Sequence, residues 1–313
     1  MTNMPDHTPV ALALHVVHGA RPGPVMFVSA AIHGDEVIGV EIVRRLLRHP
    51  SLNGISGTLL AVPIVNAFGF LSHSRYLPDR RDLNRSFPGS AAGSLASRLA
   101  YSFRTEVVAR SSYGVDLHSA AIHRSNLPQI RVSPGQPEAL RLAQAFAAPV
   151  TLTSRMREGS LRATATQAGV TVLLFEAGEG LRVDETAVRI GIAGILRTMA
   201  AIGMLPASAA PRIRAATVHC QKSDWLRAPG AGLMTPMAEV GDRVTAGAVL
   251  ATISDPFGET EVELVSPKAG ILVGRAHLPL VNEGDALFHL AELPQADTAR
   301  DQVLDIPDED ELI

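Results

Sequence analysis

The chain has 313 residues, of which 46% are hydrophobic and 19% are charged, and its formal net charge is −3. This length predicts one large domain with a smaller one beside it, and because the sequence has no basic stripe we expect no nucleic-acid partner. The only cysteine, Cys220, excludes an intrachain disulfide and a cysteine-based metal site, which suits the reducing cytoplasm.

The N-terminal segment is predicted to form a β-strand, and not a signal peptide or a membrane span. Its apolar run is short and interrupted by histidines, and no basic residue precedes it. Residues 25–32 (VMFVSAAI) form a continuous apolar run that ends at His33, which predicts a buried central strand. An amphipathic helix is expected over residues 36–47, and a second buried strand over residues 58–65.

The middle of the chain continues this alternation of strands and helices. A long polar loop is predicted over residues 66–92, and a loop of that length in a compact domain is usually functional or disordered. Helices are expected over residues 94–110 and 184–202, and strands over residues 113–117 and 170–175. The fold class predicted is α/β, with a mixed, mostly parallel sheet flanked by helices.

The character of the sequence changes after Gly203. A Pro/Ala-rich stretch at residues 204–213 predicts a linker, and the Gly-Asp and Pro-Gly turns that follow predict an all-β domain at residues 214–293. Residues 1–203 are then the larger, α/β domain, and residues 294–313 an acidic C-terminal tail.

Four polar residues come directly after apolar, strand-like runs: His33, Asn66, His118 and Glu176. Ligands of open α/β sheets bind beyond the carboxyl ends of the strands, so we expect these side chains to converge. In His33-Gly34-Asp35-Glu36, the histidine ends a strand and Glu36 is expected in the first helical turn. With His118 as a third ligand, this set suits a catalytic zinc, which takes three N/O ligands and keeps one position open.

Metal-assisted amide hydrolysis also needs proton transfer and a group that stabilises the oxyanion. A carboxylate beside the metal can take the proton of water and pass it to the leaving nitrogen, and Glu176 is the candidate. A cation near the scissile carbonyl would stabilise its developing charge. The polar loop offers candidates for this cation, which are Arg75, Arg80, Arg81 and Arg85.

At these motifs the chain resembles the succinylglutamate desuccinylase/aspartoacylase family, a branch of the zinc carboxypeptidase fold. The resemblance covers residues 25–180, and its stretches are AAIHGDE, VNAFGF, SRYLPDRRDLNRSFPG, DLHS and LLFEAGEG. It implies one zinc ion per chain on His33, Glu36 and His118, with Glu176 as general base and then general acid. It also implies that Arg75 polarises the acyl carbonyl and that Asn84 and Arg85 bind the substrate carboxylate. Asp116 precedes His118 and is expected to orient it or a neighbour.

The C-terminal region is similar to the barrel-sandwich, lipoyl-like cap of this family, although aspartoacylases use a tyrosine from that domain and this chain has only Tyr76, Tyr101 and Tyr113. The expected function is zinc-dependent hydrolysis of the amide bond of a small N-acylated amino acid or amine that carries a carboxylate. A metallocarboxypeptidase acting on short peptides and a non-catalytic binding protein on the same scaffold are the alternatives. We expect neither a membrane nor nucleic acid as a partner. The chain is expected to form a homo-oligomer.

Overall fold

The computed structural model describes residues 2–3, 7, 9–213 and 216–294. Up to residue 213, the described part of the chain contains both strands and helices. The strands are β1 (Thr2–Asn3), β2 (Pro9–Val10), β3 (His15–His18), β4 (Arg21–Ala30), β5 (Ser56–Val62), β6 (Tyr113–His118), β7 (Arg124–Val132), β8 (Val150–Thr153) and β9 (Thr171–Gly178). The α-helices are α1 (Ile38–Leu46), α2 (Ala67–Leu71), α3 (Leu95–Glu106), α4 (Pro137–Phe146), α5 (Leu161–Gln167) and α6 (Glu185–Ala201). Short 3-10 helices occupy Pro50–Gly54, Leu83–Arg85, Val108–Arg110 and Ala207–Ala209.

The described residues after 216 form strands only. They are β10 (Val218–Cys220), β11 (Ser223–Arg227), β12 (Gly232–Pro236), β13 (Arg243–Val244), β14 (Val249–Ser254), β15 (Glu261–Val265), β16 (Gly270–Ala276), β17 (Leu280–Val281) and β18 (Ala286–Glu292). Residues 214, 215 and 295–313 lie outside the described residues, and they include almost all of the predicted tail. The predicted domain boundaries stay a prediction.

The largest sheet among the described residues has twelve strands, in the order β11-β18-β16-β7-β9-β6-β4-β5-β3 with β8, β10 and β13 attached at its sides. Its centre is parallel, because β5, β4, β6 and β9 run in one direction. The next strand, β7, is antiparallel to β9. The predicted α/β class with a mixed sheet and a strand-rich C-terminal region is confirmed, whereas the lipoyl-like form of that region stays a prediction.

Helices cover both faces of the parallel centre, because its strands carry apolar residues on both sides. On one face, Ile42 of α1, Phe146 of α4 and Ile195 of α6 belong to one fully buried core. On the other face, Phe103 of α3 and Leu161 of α5 belong to a second core. Asp184 is the N-cap of helix α6, since its carboxylate accepts a hydrogen bond from a backbone N–H of the first turn.

Some of the C-terminal strands extend the central sheet, and others form a second sheet. Strand β16 pairs with β7, and β18 and β11 follow it in the large sheet. The second sheet has the order β15-β14-β12-β17. None of the helices in the described part of the chain is both long enough and apolar enough to cross a membrane.

The polar loop after β5 is more ordered than the sequence predicts. Asn66 is fully buried and caps α2, where its side-chain oxygen accepts the Gly69 N–H at 2.9 Å. Asp82 caps the 3-10 turn Leu83–Arg85 in the same way, by accepting the Asn84 N–H at 2.8 Å. Short polar side chains favour such caps because they satisfy backbone donors locally.

Candidate functional site

Three predicted side chains meet at the carboxyl ends of two neighbouring parallel strands. His33 follows β4, and His118 is the last residue of β6. The sequence predicts that Glu36 lies in the first turn of α1, but it lies in the turn before that helix. Its N–H donates to the His33 carbonyl at 3.2 Å. Gly34 makes this turn possible, because a Cβ at Gly34 would lie 1.9 Å from the backbone of Gly69.

The Glu36 carboxylate lies between the two imidazoles. Its Oε1 is 2.6 Å from Nδ1 of His33, and its Oε2 is 2.6 Å from Nδ1 of His118. One atom from each of the three residues can be chosen so that all three lie within 4.8 Å of one another, and all three residues are buried. Two imidazole nitrogens and a carboxylate at such spacing are donors that a divalent cation could bridge.

Each histidine contacts a second carboxylate through its other ring nitrogen. Nε2 of His118 lies 2.8 Å from Oδ2 of Asp116, and Nε2 of His33 lies 3.2 Å from Oδ1 of Asp82. Asp116 is fully buried, and its Oδ1 accepts a hydrogen bond of 2.8 Å from the Ser29 hydroxyl. A carboxylate in this position fixes the orientation of a histidine and increases its basicity, as is usual behind metal-binding histidines.

The charges of this cluster shift the pKa values of its members. Burial lowers the pKa of His118, but the Asp116 and Glu36 carboxylates outweigh burial and raise it well above 6.5. The pKa of His33 is also raised, because Glu36 and Asp82 outweigh the effect of burial. Burial raises the pKa of Glu36, but the two imidazoles outweigh burial and hold it well below its ordinary value. Both imidazoles therefore have a raised affinity for protons, and the Glu36 carboxylate is ionised.

Arg75 connects the polar loop to the cluster. Its Nε and Nη2 donate to Oδ2 of Asp82 at 3.2 and 3.0 Å, and its Nη1 donates to Oε1 of Glu36 at 3.4 Å. Asp82 therefore contacts an arginine, a histidine and the backbone of the next turn at once. This fixes the loop relative to the two strand ends.

Asn84 and Arg85 lie in the turn that Asp82 caps. The side-chain oxygen of Asn84 accepts the Leu161 N–H at 2.9 Å, which leaves its amide NH2 as the group that can donate to a ligand. Nη1 of Arg85 donates to the Asn84 carbonyl at 2.6 Å. Burial lowers the pKa of Arg85, and the nearby cations Arg157 and Arg75 lower it further against the effect of Asp82. Several guanidinium groups therefore lie close together beside the cluster.

Glu176 lies next to His118 on the neighbouring strand. The two residues are in register between β6 and β9, so their side chains leave the same face of the sheet. Oε2 of Glu176 accepts a hydrogen bond of 2.9 Å from Nδ2 of Asn126, and its Oε1 lies 3.7 Å from Nε of Arg131. The Glu176 side chain is 15% exposed, so solvent or a small ligand can reach it.

Every predicted site residue thus lies at this edge of the sheet or in the adjoining loop. His33, Glu36, His118 and Arg75 are joined by direct contacts, and Asn84 and Arg85 follow Asp82 in its turn. Sequence reasoning did not identify four residues of this cluster, which are Ser29, Asp82, Asn126 and Arg131. Asp82 belongs to the DLNRSFPG stretch and had a signal, whereas Asn126 and Arg131 lie in a segment without a motif.

Comparisons with known proteins show the family to which the chain is similar. The family model for the succinylglutamate desuccinylase/aspartoacylase catalytic domain matches residues 22–202. The N-alpha-acetyl-L-2,4-diaminobutyric acid deacetylase of Halomonas elongata is 26% identical over 288 residues, which cover 88% of this chain and 84% of that protein.

Solved structures show similarity along most of the chain. A succinylglutamate desuccinylase/aspartoacylase from Rhodobacter sphaeroides has 26% identity and a TM-score of 0.80, with coverage of 90% of this chain and 89% of that one. The product-bound ectoine utilization protein EutE from Ruegeria pomeroyi has 25% identity and a TM-score of 0.83, with coverage of 93% and 92%.

Proposed function

The chain belongs to the succinylglutamate desuccinylase/aspartoacylase family, and we propose that it is a zinc-dependent amidohydrolase of a small N-acylated amino acid or amine. The observation that carries the proposal is the buried set of His33, Glu36 and His118, whose donor atoms lie within 4.8 Å of one another. The relative from Halomonas elongata is named as a deacetylase of an N-acyl amino acid, which supports the reaction class. We also propose the cytoplasm as the compartment, because the only cysteine, Cys220, excludes an intrachain disulfide.

The charge of the contact network fits a divalent cation. The two histidines join three carboxylates (Glu36, Asp82 and Asp116) by direct contacts, and the guanidinium of Arg75 contacts two of them, Glu36 and Asp82. With neutral imidazoles, their formal charges leave a net charge of −2. Two protons on the imidazoles, or one divalent ion in their place, would balance it, and a buried site is stable only when its charges are compensated.

We assign the ligands to His33, Glu36 and His118, with Asp82 and Asp116 holding the two rings. A zinc ion bound there would polarise the scissile carbonyl and acidify water. Glu176, beside His118, takes the proton from the attacking water and passes it to the leaving nitrogen. Arg75 stabilises the negative charge that develops on the carbonyl oxygen.

Asn84 and Arg85 bind the carboxylate of the substrate in this proposal. The amide NH2 of Asn84 and the guanidinium of Arg85 are both donors, and a guanidinium can bind a carboxylate through two parallel hydrogen bonds. Because other cations lie nearby, we expect a substrate with at least one carboxylate. N-acetyl-2,4-diaminobutyrate is the first substrate to test, on the strength of the curated relative.

The test is a panel assay on zinc-loaded protein, with N-acetyl and N-succinyl amino acids and diamines beside short peptides. We expect one zinc per chain and release of a carboxylic acid from one of the N-acyl compounds. Glu176→Gln should retain zinc and substrate binding and lose most of kcat, whereas the exposed Glu283→Gln should behave as the wild type. Cleavage of peptides alone would favour a carboxypeptidase, and loaded protein that binds the panel without turnover would favour a binding protein.

A further inference from the structure

Strand β7 joins the catalytic half of the large sheet, which includes Glu176 on β9, to the C-terminal strands. On one edge β7 pairs with β9, where Gln129 is opposite Glu176 and Asn126 is opposite Gly178. On its other edge, residues 129–132 pair with β8, and residues 124–126 pair with β16 of the C-terminal region. A single strand therefore lies between the proposed general base and the C-terminal strands.

Asn126 of β7 contacts both neighbouring strands, β9 and β16. It is 8% exposed, and its Nδ2 donates to Oε2 of Glu176 at 2.9 Å. Arg131, from the same strand, approaches the other carboxylate oxygen at 3.7 Å. A carboxylate can rotate about its terminal bond, but a hydrogen bond to one oxygen fixes the plane in which the other oxygen faces a ligand.

Gly274 of β16 leaves the space that Asn126 occupies. It is in register with Asn126 on one side and with His289 of β18 on the other. A Cβ at Gly274 would lie 2.9 Å from Oδ1 of Asn126 and 3.3 Å from Cβ of His289. An alanine there would push first against the end of the Asn126 side chain, which can rotate away at little cost to the backbone.

We propose that Asn126 is a positioning residue for Glu176, and that Gly274 makes the C-terminal strands part of the active site by keeping Asn126 in place. This inference rests on the proposed function, because it assigns Asn126 a role through the general base. Proton transfer needs a carboxylate oxygen within about 3 Å of the reacting group. With Oε2 held by Asn126, Oε1 is the oxygen presented for that transfer.

The experiment compares Asn126→Ala, Asn126→Asp, Gly274→Ala and the double variant Asn126→Ala/Gly274→Ala with the wild type, all zinc-loaded. The substrate is N-acetyl-2,4-diaminobutyrate, or the panel compound that the wild type cleaves fastest. Loss of a hydrogen bond to a charged group should lower kcat about tenfold to a hundredfold in Asn126→Ala. KM and zinc content should stay within about twofold, because the residue binds neither the substrate nor the metal.

The other three variants separate positioning from folding. Asn126→Asp keeps the size of the side chain, yet it should lower kcat at least as much, because a second carboxylate repels Glu176 or shares a proton with it. As a single substitution, Gly274→Ala should lower kcat. In the double variant it should lower the kcat of Asn126→Ala by less than about a further twofold, since both substitutions act through one contact. The exposed Asn53→Asp is the matched control and should leave kcat unchanged.

Two results would overturn the inference. If folded, zinc-loaded Asn126→Ala and Asn126→Asp keep the wild-type kcat, Asn126 does not position the base. If a crystal structure of Gly274→Ala keeps the 2.9 Å contact between Asn126 and Glu176, the part assigned to the C-terminal strands is wrong. A wild type inactive on the whole panel would instead refute the proposed function and this inference with it, so the two failures can be told apart.

Discussion

Asp116→Asn isolates the effect of one buried charge on metal binding. The Asp116 carboxylate is fully buried and contacts Nε2 of His118 at 2.8 Å, while its other oxygen accepts from Ser29. An asparagine keeps the shape and an oxygen that can still accept from His118. The substitution therefore removes the negative charge and leaves the packing in place.

The size of the effect follows from burial and from competition with protons. Removing a carboxylate behind a metal-binding histidine weakens metal binding by about 10- to 100-fold, or about 1.4 to 2.7 kcal/mol. We expect the upper end, because no solvent screens this pair. Asp116 also raises the proton affinity of His118, so its loss weakens proton competition as well. The effect on zinc affinity should accordingly be smaller near pH 7 and larger near pH 9.

Zinc affinity is measured by competition with a chromophoric chelator at both pH values, with Ser29→Ala as the control. Ser29→Ala removes one hydrogen bond to Asp116 but keeps its charge, so its affinity should stay within about threefold of the wild type. Equal zinc affinity of Asp116→Asn and wild type at the higher pH would refute the reasoning. An effect that shrinks as the pH rises would do the same, because it has the wrong sign.

Three further predictions concern protons and stability. Because the pKa values of His33 and His118 are raised, zinc binding near pH 7 should release protons and tighten as pH rises; calorimetry in buffers of different ionisation enthalpy measures this, and no release would contradict it. Burial, and then the Arg131 charge, lower the pKa of His289 from 6.5 to about 3. Between these pH values the unfolded chain binds a proton that the folded chain does not. The free energy of unfolding should therefore decrease by at most about 5 kcal/mol as the pH falls from 6.5 to about 3. Denaturant titrations should show a flatter acid limb for His289→Phe, and an unchanged limb would count against this. Asp184→Ala removes the N-cap of α6 and should cost about 1 kcal/mol in the same titrations at pH 7, whereas a loss below about 0.3 kcal/mol would not fit a working cap.

The proposed metal ligands could be predicted because their signals are local. His33 and His118 end apolar runs that read as buried strands, and neighbouring parallel strands bring their carboxyl ends together. The sequence predicts the contacts of Glu36 with the histidines but gives it a helical backbone, whereas it lies in a turn before α1 begins. Helix boundaries shift by a residue or two without changing which side chains meet.

The hydrogen bond from Asn126 to Glu176 could not be predicted, because it depends on an irregularity in β7 and on pairing between strands that are distant in sequence. In a regular strand Asn126 and Gln129, three positions apart, would face opposite sides of the sheet. The register of β7 against β9 shifts between them, so both lie on the side of Glu176. The contact between β7 and Gly274 joins residues far apart in sequence, and alternation along a single strand carries no information about such a pair.

The charges of the site fall into two parts, which bears on how the proposed reaction is organised. In the network of direct contacts around the histidines, Glu36, Asp82 and Asp116 outnumber Arg75 and leave a negative charge that a divalent ion would balance. Glu176 is not part of that deficit, because Arg131 lies 3.7 Å from it and compensates its charge from β7. The proposed general base therefore has its own charge partner on β7, separate from the carboxylates around the histidines. In the inference above, its geometry depends on β7 and, through Gly274, on the C-terminal strands.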